Sequence, residues 1–269
     1  MIITFCSQKG GVAKTTSTAS FAADLRRRKK KTLLIDTDPQ CNMTLITGAT
    51  STPGASIYEV LTGGIPAVGC IQRTEFYGDI IPATKPLTRL EKELAAPGAA
   101  AVMSQVLKPL KREYDFILID CPPALGIISV SALIAADGVV VPVLADILSI
   151  QSLTDIKDTI EVVKEHGNPD LSVLGILITR HIGRAIISRD LTDVIEKMAA
   201  KMDTRVFNTP VRDCIAIREA QARQMDIYNY APRSNAAADY SAAVKDMLNG
   251  IKKGEAKRGL KKHLPSPRR

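Results

Sequence analysis

A short apolar stretch beginning at Ile2 ends in Ser7-Gln8-Lys9-Gly10-Gly11-Val12-Ala13-Lys14-Thr15-Thr16, and a helical pattern opens directly behind it. Few folds place adjacent glycines between a strand and a helix, because the turn aims backbone N–H groups at one point with the positive end of a helix behind them. Such a cradle binds an anion. Lys14 has the reach for the β- and γ-phosphates of a nucleotide, and the Thr15 hydroxyl suits a magnesium ion. The strict phosphate-loop pattern asks for glycine where this chain has Gln8 and Ala13. The residues match instead the deviant form K-G-G-x-x-K-[ST], in which a second lysine, here Lys9, points away from its own phosphates or across to a neighbour's.

The 269 residues are 45% hydrophobic and 24% charged, a balance that supports one sizeable core and excludes wholesale disorder. No apolar run approaches the roughly 20 residues that span a bilayer, so integral membrane association is not expected. Cys6, Cys41, Cys70, Cys121 and Cys214 form no CxxC pair, as in a cytoplasmic protein with reduced thiols. The net charge is +8, yet Lys252 to Arg269 carries eight bases and one acid, which leaves the body near +1. We therefore expect a domain over residues 1–250 and a basic, flexible tail over 251–269, where Gly254, Gly259, Pro265 and Pro267 oppose a long helix. A polybasic end attracts nucleic acid or anionic lipid.

Short β-branched runs alternate with helical patterns, which predicts a single α/β domain with a mostly parallel twisted sheet flanked by helices. Expected strands are Ile2 to Ser7, Thr32 to Asp36, Phe116 to Asp120, Gly138 to Val143, Val173 to Thr179 and Val206 to Asn208, continuous apolar runs of the kind buried on both faces. Expected helices run from Thr15 to about Arg28, Ser149 to about Glu165, Ser188 to about Lys201 and Ser234 to about Asn249, each with Ser or Thr suited to capping. Between Thr50 and Leu94 only a short helix near Ser56 to Leu61 and a strand at Ile80-Ile81 are legible.

Asp38 and Asp120 fall at or just past strand ends, where open α/β sheets bind ligands. Asp120 suits a magnesium ion held through water. Asp38 suits orientation of an attacking water, with Asp36 supporting the site structurally. The glycine loop, Leu33-Leu34-Ile35-Asp36-Thr37-Asp38-Pro39-Gln40 and Phe116-Ile117-Leu118-Ile119-Asp120-Cys121-Pro122-Pro123 together resemble the ParA/MinD group of deviant-Walker P-loop ATPases. Weaker similarity continues to about Asn249.

The resemblance implies ATP and Mg2+ as cofactors, with nucleotide contacts from Lys9, Gly10, Gly11, Val12, Ala13, Lys14, Thr15 and Thr16. It gives catalytic roles to Lys9, Lys14 and Asp38, and metal contacts to Thr15, Asp38 and Asp120. It further implies an ATP-bound homodimer in which Lys9 reaches the partner's phosphates. Adenine contacts would fall at Thr179, Arg180, Pro210 and Val211. Ala13 and Cys41 are departures, standing where the family more often has glycine.

A ParA-type chain would bind double-stranded DNA without sequence preference, through bases in its C-terminal half, until a ParB-like or adaptor protein stimulates hydrolysis. Candidate contacts are Arg212, Arg218, Arg233 and Lys245. The cell location implied is cytoplasmic and nucleoid-associated. The alternative is a MinD-like regulator that cycles on membranes, against which the few apolar residues of the tail count. Arg26 to Lys31, six consecutive bases, are expected to be a solvated, dipole-matched end of the first helix.

Overall fold

The computed structural model describes residues 1–93, 98–182 and 186–262. Along the chain lie β1 (Ile2–Phe5), α1 (Lys14–Arg27), β2 (Thr32–Asp36), α2 (Asn42–Ile46), α3 (Ile57–Leu61), β3 (Gln72–Arg73), β4 (Asp79–Ile81), α4 (Leu90–Glu93) and α5 (Val102–Leu107). There follow β5 (Phe116–Asp120), α6 (Ile127–Ala135), β6 (Gly138–Val143), α7 (Ile147–His166), β7 (Ser172–Ile178), α8 (Ile186–Lys201), α9 (Ile215–Ala222), α10 (Ile227–Tyr230) and α11 (Asn235–Lys262). The sheet order is β3-β4-β2-β5-β1-β6-β7, with every neighbouring pair parallel except β3 and β4.

Strands β1, β2, β5 and β6 are buried at every residue, so alternation divides them between two cores rather than between core and water. Ile2, Leu33, Ile35, Ile117, Ile119, Val139 and Val141 face the layer that holds α3, α5, α6 and α7. Ile3, Phe5, Leu34, Leu118, Val140 and Leu177 face α1, α10 and α11. There Phe21 of α1 meets Phe5 edge-on at 5.1 Å and Tyr240 of α11 at 6.3 Å. Register aligns Phe5 with Asp120 and Asp120 with Asp36. One row across three strands thus brings the start of the glycine loop level with two carboxylates.

Several expectations are corrected. Val206 to Asn208 is not a strand: Val206 makes a single parallel bridge to Ile176, and the Phe207 ring occupies the space over Gly175 beside a register shift in β6–β7. Asp146, not a serine, caps α7 by accepting the Ser149 N–H at 2.8 Å. Ser234 does cap α11, accepting from the Ala237 N–H at 3.2 Å. That helix runs on through Gly250 and Gly254 to Lys262 instead of stopping near Asn249. Ile251 packs against the core it follows, and this tertiary contact outweighs the roughly 1 kcal/mol that an interior glycine costs a helix. The remainder of the expected tail, 263–269, lies outside the described residues.

Candidate nucleotide site

Leaving β1, the chain turns through residues 7–13 with Gly11 at φ +74° and Ala13 at φ +58°. A Cβ added at Gly10 or Gly11 would meet nothing within 4 Å, so the loop faces open space. Ala13 immediately precedes α1 and no side chain caps that helix. The first-turn N–H groups are therefore free to bind an anion at the positive end of the helix dipole. They open into a cavity of about 560 Å³ lined by Gly10, Gly11, Ala13, Lys14, Thr15, Thr16 and Asp38 on one side and by Arg180, Val211, Arg212, Arg218, Gln221 and Tyr240 on the other. That is the size range of small-ligand and cofactor sites.

The two lysines of the loop diverge. Lys14 is 7% exposed and lines the cavity, its ammonium donating to the Lys9 carbonyl at 3.1 Å. Lys9 does not line it. Its ammonium pairs with the Asp146 carboxylate at the start of α7 and donates to Ser149 Oγ at 3.4 Å.

The carboxylates divide the work by environment. Asp36 accepts from Thr44 N–H at 2.8 Å, Thr44 Oγ1 at 2.7 Å and Asp38 N–H at 3.1 Å, which anchors α2 and the Asp38 turn to β2. Burial raises its pKa to about 6 against the downward pull of those hydrogen bonds. Asp38 lines the cavity and accepts the Gln40 N–H at 2.9 Å. Asp120 is wholly buried, with Oδ1 3.5 Å from Thr18 Oγ1 and Oδ2 without a hydrogen-bond partner. Burial pushes its carboxyl well above the usual range, and the charge of Asp36 adds to this, while the Thr15 hydroxyl and Lys14 oppose it.

A buried carboxylate oxygen with no partner is expensive unless something positive completes it. Among the described residues no three His, Cys, Asp or Glu side chains converge as a metal cage. The donor set fits magnesium, which keeps its waters and takes one or two protein oxygens plus phosphate.

Of the other residues read from the sequence, Thr16 lines the cavity and accepts from Gln221 Nε2 at 3.0 Å. Val12 is buried, and its carbonyl accepts from Thr179 Oγ1 at 3.0 Å. Thr179 thus braces the loop from behind and, like Pro210, is not among the lining residues. Arg180 and Val211 are. Arg212 also lines the cavity, with its guanidinium held by Asp239 at 2.8 and 2.6 Å. Arg218 also lines the cavity wall, and both arginines are exposed. Arg233 and Lys245 are exposed and outside the cavity.

Gln221, Tyr240 and Asn42 are lining residues that sequence reading missed. Their segments reach the site only through the packing of α2, α9 and α11. The Tyr240 hydroxyl lies 3.2 Å from Ser17 Oγ.

A family model described as an AAA domain matches residues 1–173. The chain is 34% identical to chromosome partitioning protein ParA of Myxococcus xanthus, over 92% of this chain and 87% of that one. It is 33% identical to sporulation initiation inhibitor protein Soj of Bacillus subtilis, over 91% and 97%. Its fold superposes with a TM-score of 0.80 and 30% identity on cobyrinic acid a,c-diamide synthase from Mycobacterium smegmatis with bound ATP analog and magnesium, covering 94% and 96%. Identity of about one third along more than nine tenths of the chain is carried by relatives of one kind, and the chain belongs to the ParA/Soj family of P-loop ATPases.

Proposed function

We propose that the chain binds ATP with Mg2+ in the 560 Å³ cavity, hydrolyses it as a dimer of two copies, and in the ATP-bound state holds double-stranded DNA without reading its sequence. The observation that carries the nucleotide part is a convergence. An uncapped helix N-terminus and a buried lysine meet at one cavity, and an unpartnered Asp120 oxygen is buried beside Thr15 and Lys14 of its wall. Each is unfavourable alone, and a phosphate with its magnesium completes all three.

The α1 N–H groups and Lys14 hold the β- and γ-phosphates, and Gly10 and Gly11 let them approach the backbone. Thr15 and Asp120 would hold the magnesium, which when bound would neutralise charge on the transferring group. Asp38, at the cavity wall and steadied by the Gln40 N–H, orients the attacking water. Lys9, which does not line its own cavity, reaches the phosphates of a second copy once it leaves Asp146, and its pairing outside the cavity supports this reading. Turnover is accordingly slow in one chain and stimulated by a ParB-like or adaptor protein. The setting is cytoplasmic and nucleoid-associated, and among the described residues no helix is long and apolar enough to cross a membrane.

The test is binding to random-sequence duplex DNA, and separately to anionic vesicles, with ATP, ADP or no nucleotide at two salt concentrations, for the wild type and Lys14→Ala. ATP-dependent, salt-sensitive DNA binding that the variant lacks is the expected result. ATP-dependent binding to vesicles without DNA would replace this reading with a membrane-cycling regulator.

A further inference from the structure

The six bases at the end of α1 are more than the helix needs. Its last carbonyls are met by backbone donors, Lys29 N–H to Arg26 at 2.8 Å and Lys30 N–H to Leu25 at 3.0 Å, with Lys29 at φ +61°. One or two cations satisfy a helix dipole. The counter-charges are also too few. Asp24 takes both Arg27, at 2.9 Å, and Arg28, at 2.6 Å, and Lys30 lies 3.8 Å from Asp115. Among the described residues Arg26 donates to the backbone carbonyl of Glu75 and is in no ion pair, and Lys31 rests over the Tyr114 ring. Lys29 is in no ion pair of the described residues.

Tertiary structure extends this run on both sides. Arg26, Lys30 and Lys31 wall a cleft of about 260 Å³ together with Arg73 of the β3–β4 hairpin. On the other side Arg28 donates to the Ser241 carbonyl at 3.2 Å and to its hydroxyl at 3.1 Å. Lys245 lies one turn further along the same face of α11. Eight cations therefore form one stripe. Carboxylates beside it include Asp24, Glu75, Asp79 and Asp115, and Asp79 accepts from the Tyr114 hydroxyl at 2.7 Å. Because residues 1–251 carry only +1 overall, the stripe concentrates positive charge while the rest of the body is net negative.

We propose that this stripe, Arg73 with Arg26 to Lys31 and Lys245, is the surface on which the phosphate backbone of duplex DNA rests. The proposal builds on the DNA-binding reading above and relocates its contacts. Arg212 and Arg218 wall the nucleotide cavity, whereas the stripe lies at the far end of α1, about 21 Å from the phosphate loop for a 14-residue helix at ~1.5 Å per residue. Nucleotide and DNA are therefore held at once without competing. A bilayer is the poorer match, since none of the exposed large hydrophobic residues, Leu45, Val68, Ile147, Leu148, Val162, Ile182 and Ile215, belongs to the stripe.

The experiment is fluorescence anisotropy of a random-sequence duplex with Mg-ATP across a salt series. It compares wild type, the triple variant Lys30→Ala, Arg73→Ala, Lys245→Ala, and the double variant Arg218→Ala, Arg233→Ala, with anionic vesicles in a parallel arm. The triple variant should bind at least tenfold more weakly and lower the slope of log affinity against log salt by about two to three, at ~0.9 per lost phosphate contact. Its ATP-induced thermal shift should equal that of wild type, which shows that it is folded. Replacing the two lysines by arginine should retain binding.

Wild-type DNA binding that the triple variant leaves unchanged, or that only the double variant reduces, overturns the stripe and leaves DNA binding standing. Failure of the wild type to bind DNA at any salt overturns both. Loss of vesicle binding alone in the triple variant assigns the stripe to lipid and overturns the proposal.

Discussion

Ala13 and Cys41, the two positions where this sequence departs from glycine, both adopt left-handed backbone, at φ +58° and φ +56°. A side chain there costs about 1–2 kcal/mol, and glycine returns roughly 0.4–1 kcal/mol of that in unfolded-chain entropy. Ala13→Gly and Cys41→Gly should each raise stability by up to about 1 kcal/mol in urea titrations. A loss of stability in either would mean that the methyl or thiol contributes packing which exceeds the strain. Asp146 offers a second test at this scale, because it both caps α7 and pairs with Lys9. Burial pushes its carboxyl up, but Lys9 and the Ser149 N–H outweigh this and hold it below the usual carboxylate range. Stability from this group is therefore full above about pH 4 and fades as pH falls through the lowered value. Asp146→Asn keeps a capping oxygen and should lose less stability than wild type on acidification, whereas Asp146→Ala should cost about 1 kcal/mol at neutral pH through the lost cap.

At the scale of elements, burial explains what local pattern hides. Helix α6, Ile-Ile-Ser-Val-Ser-Ala-Leu-Ile-Ala, has no charged face because α5 and α7 cover it, so its periodicity is invisible. The two residues of β3 are too few to show alternation. Helix α11 runs through glycines because its neighbours hold it. A Cβ at Gly254 would meet nothing within 4 Å, while one at Gly250 would lie 2.7 Å from the Arg205 guanidinium. Gly254→Ala should therefore stabilise by about 0.5–1 kcal/mol. Gly250→Ala should gain less, since Arg205 must shift from its ion pair with Asp246 at 3.0 Å. Gly175 is the opposite extreme, with the Phe207 ring 2.3 Å from its would-be Cβ. Gly175→Ala should cost about 1–3 kcal/mol by overpacking, and thermal denaturation that shows no loss would rule out the close approach.

For the whole molecule, the unfilled donors of α1 and the unpartnered Asp120 oxygen predict a protein that its ligand tightens. Mg-ATP at a hundredfold excess over its dissociation constant should stabilise the fold by about 2.7 kcal/mol, a rise in Tm of roughly 5–10 °C for a chain of this size. Lys14→Ala should abolish the shift. EDTA should reduce it, because Asp120 Oδ2 then loses the cation that completes it; an undiminished shift in EDTA would remove magnesium from the site.

Chain-local chemistry was readable from the residues themselves. Adjacent glycines beside Lys14 and Thr15 declare a phosphate cradle, and continuous β-branched runs declare strands buried on both faces, since both depend on neighbours a few residues apart. The wall of the cavity opposite the loop was not readable. Gln221 and Tyr240 lie more than 200 positions from Thr16 and Ser17, and only the packing of α9 and α11 against α1 brings them together. Charge shows the same division: six consecutive bases stood out in the sequence, but whether they are a solvated helix end or part of a longer surface depended on where the fold placed Arg73 and Lys245, because electrostatic potential sums over space and not over sequence.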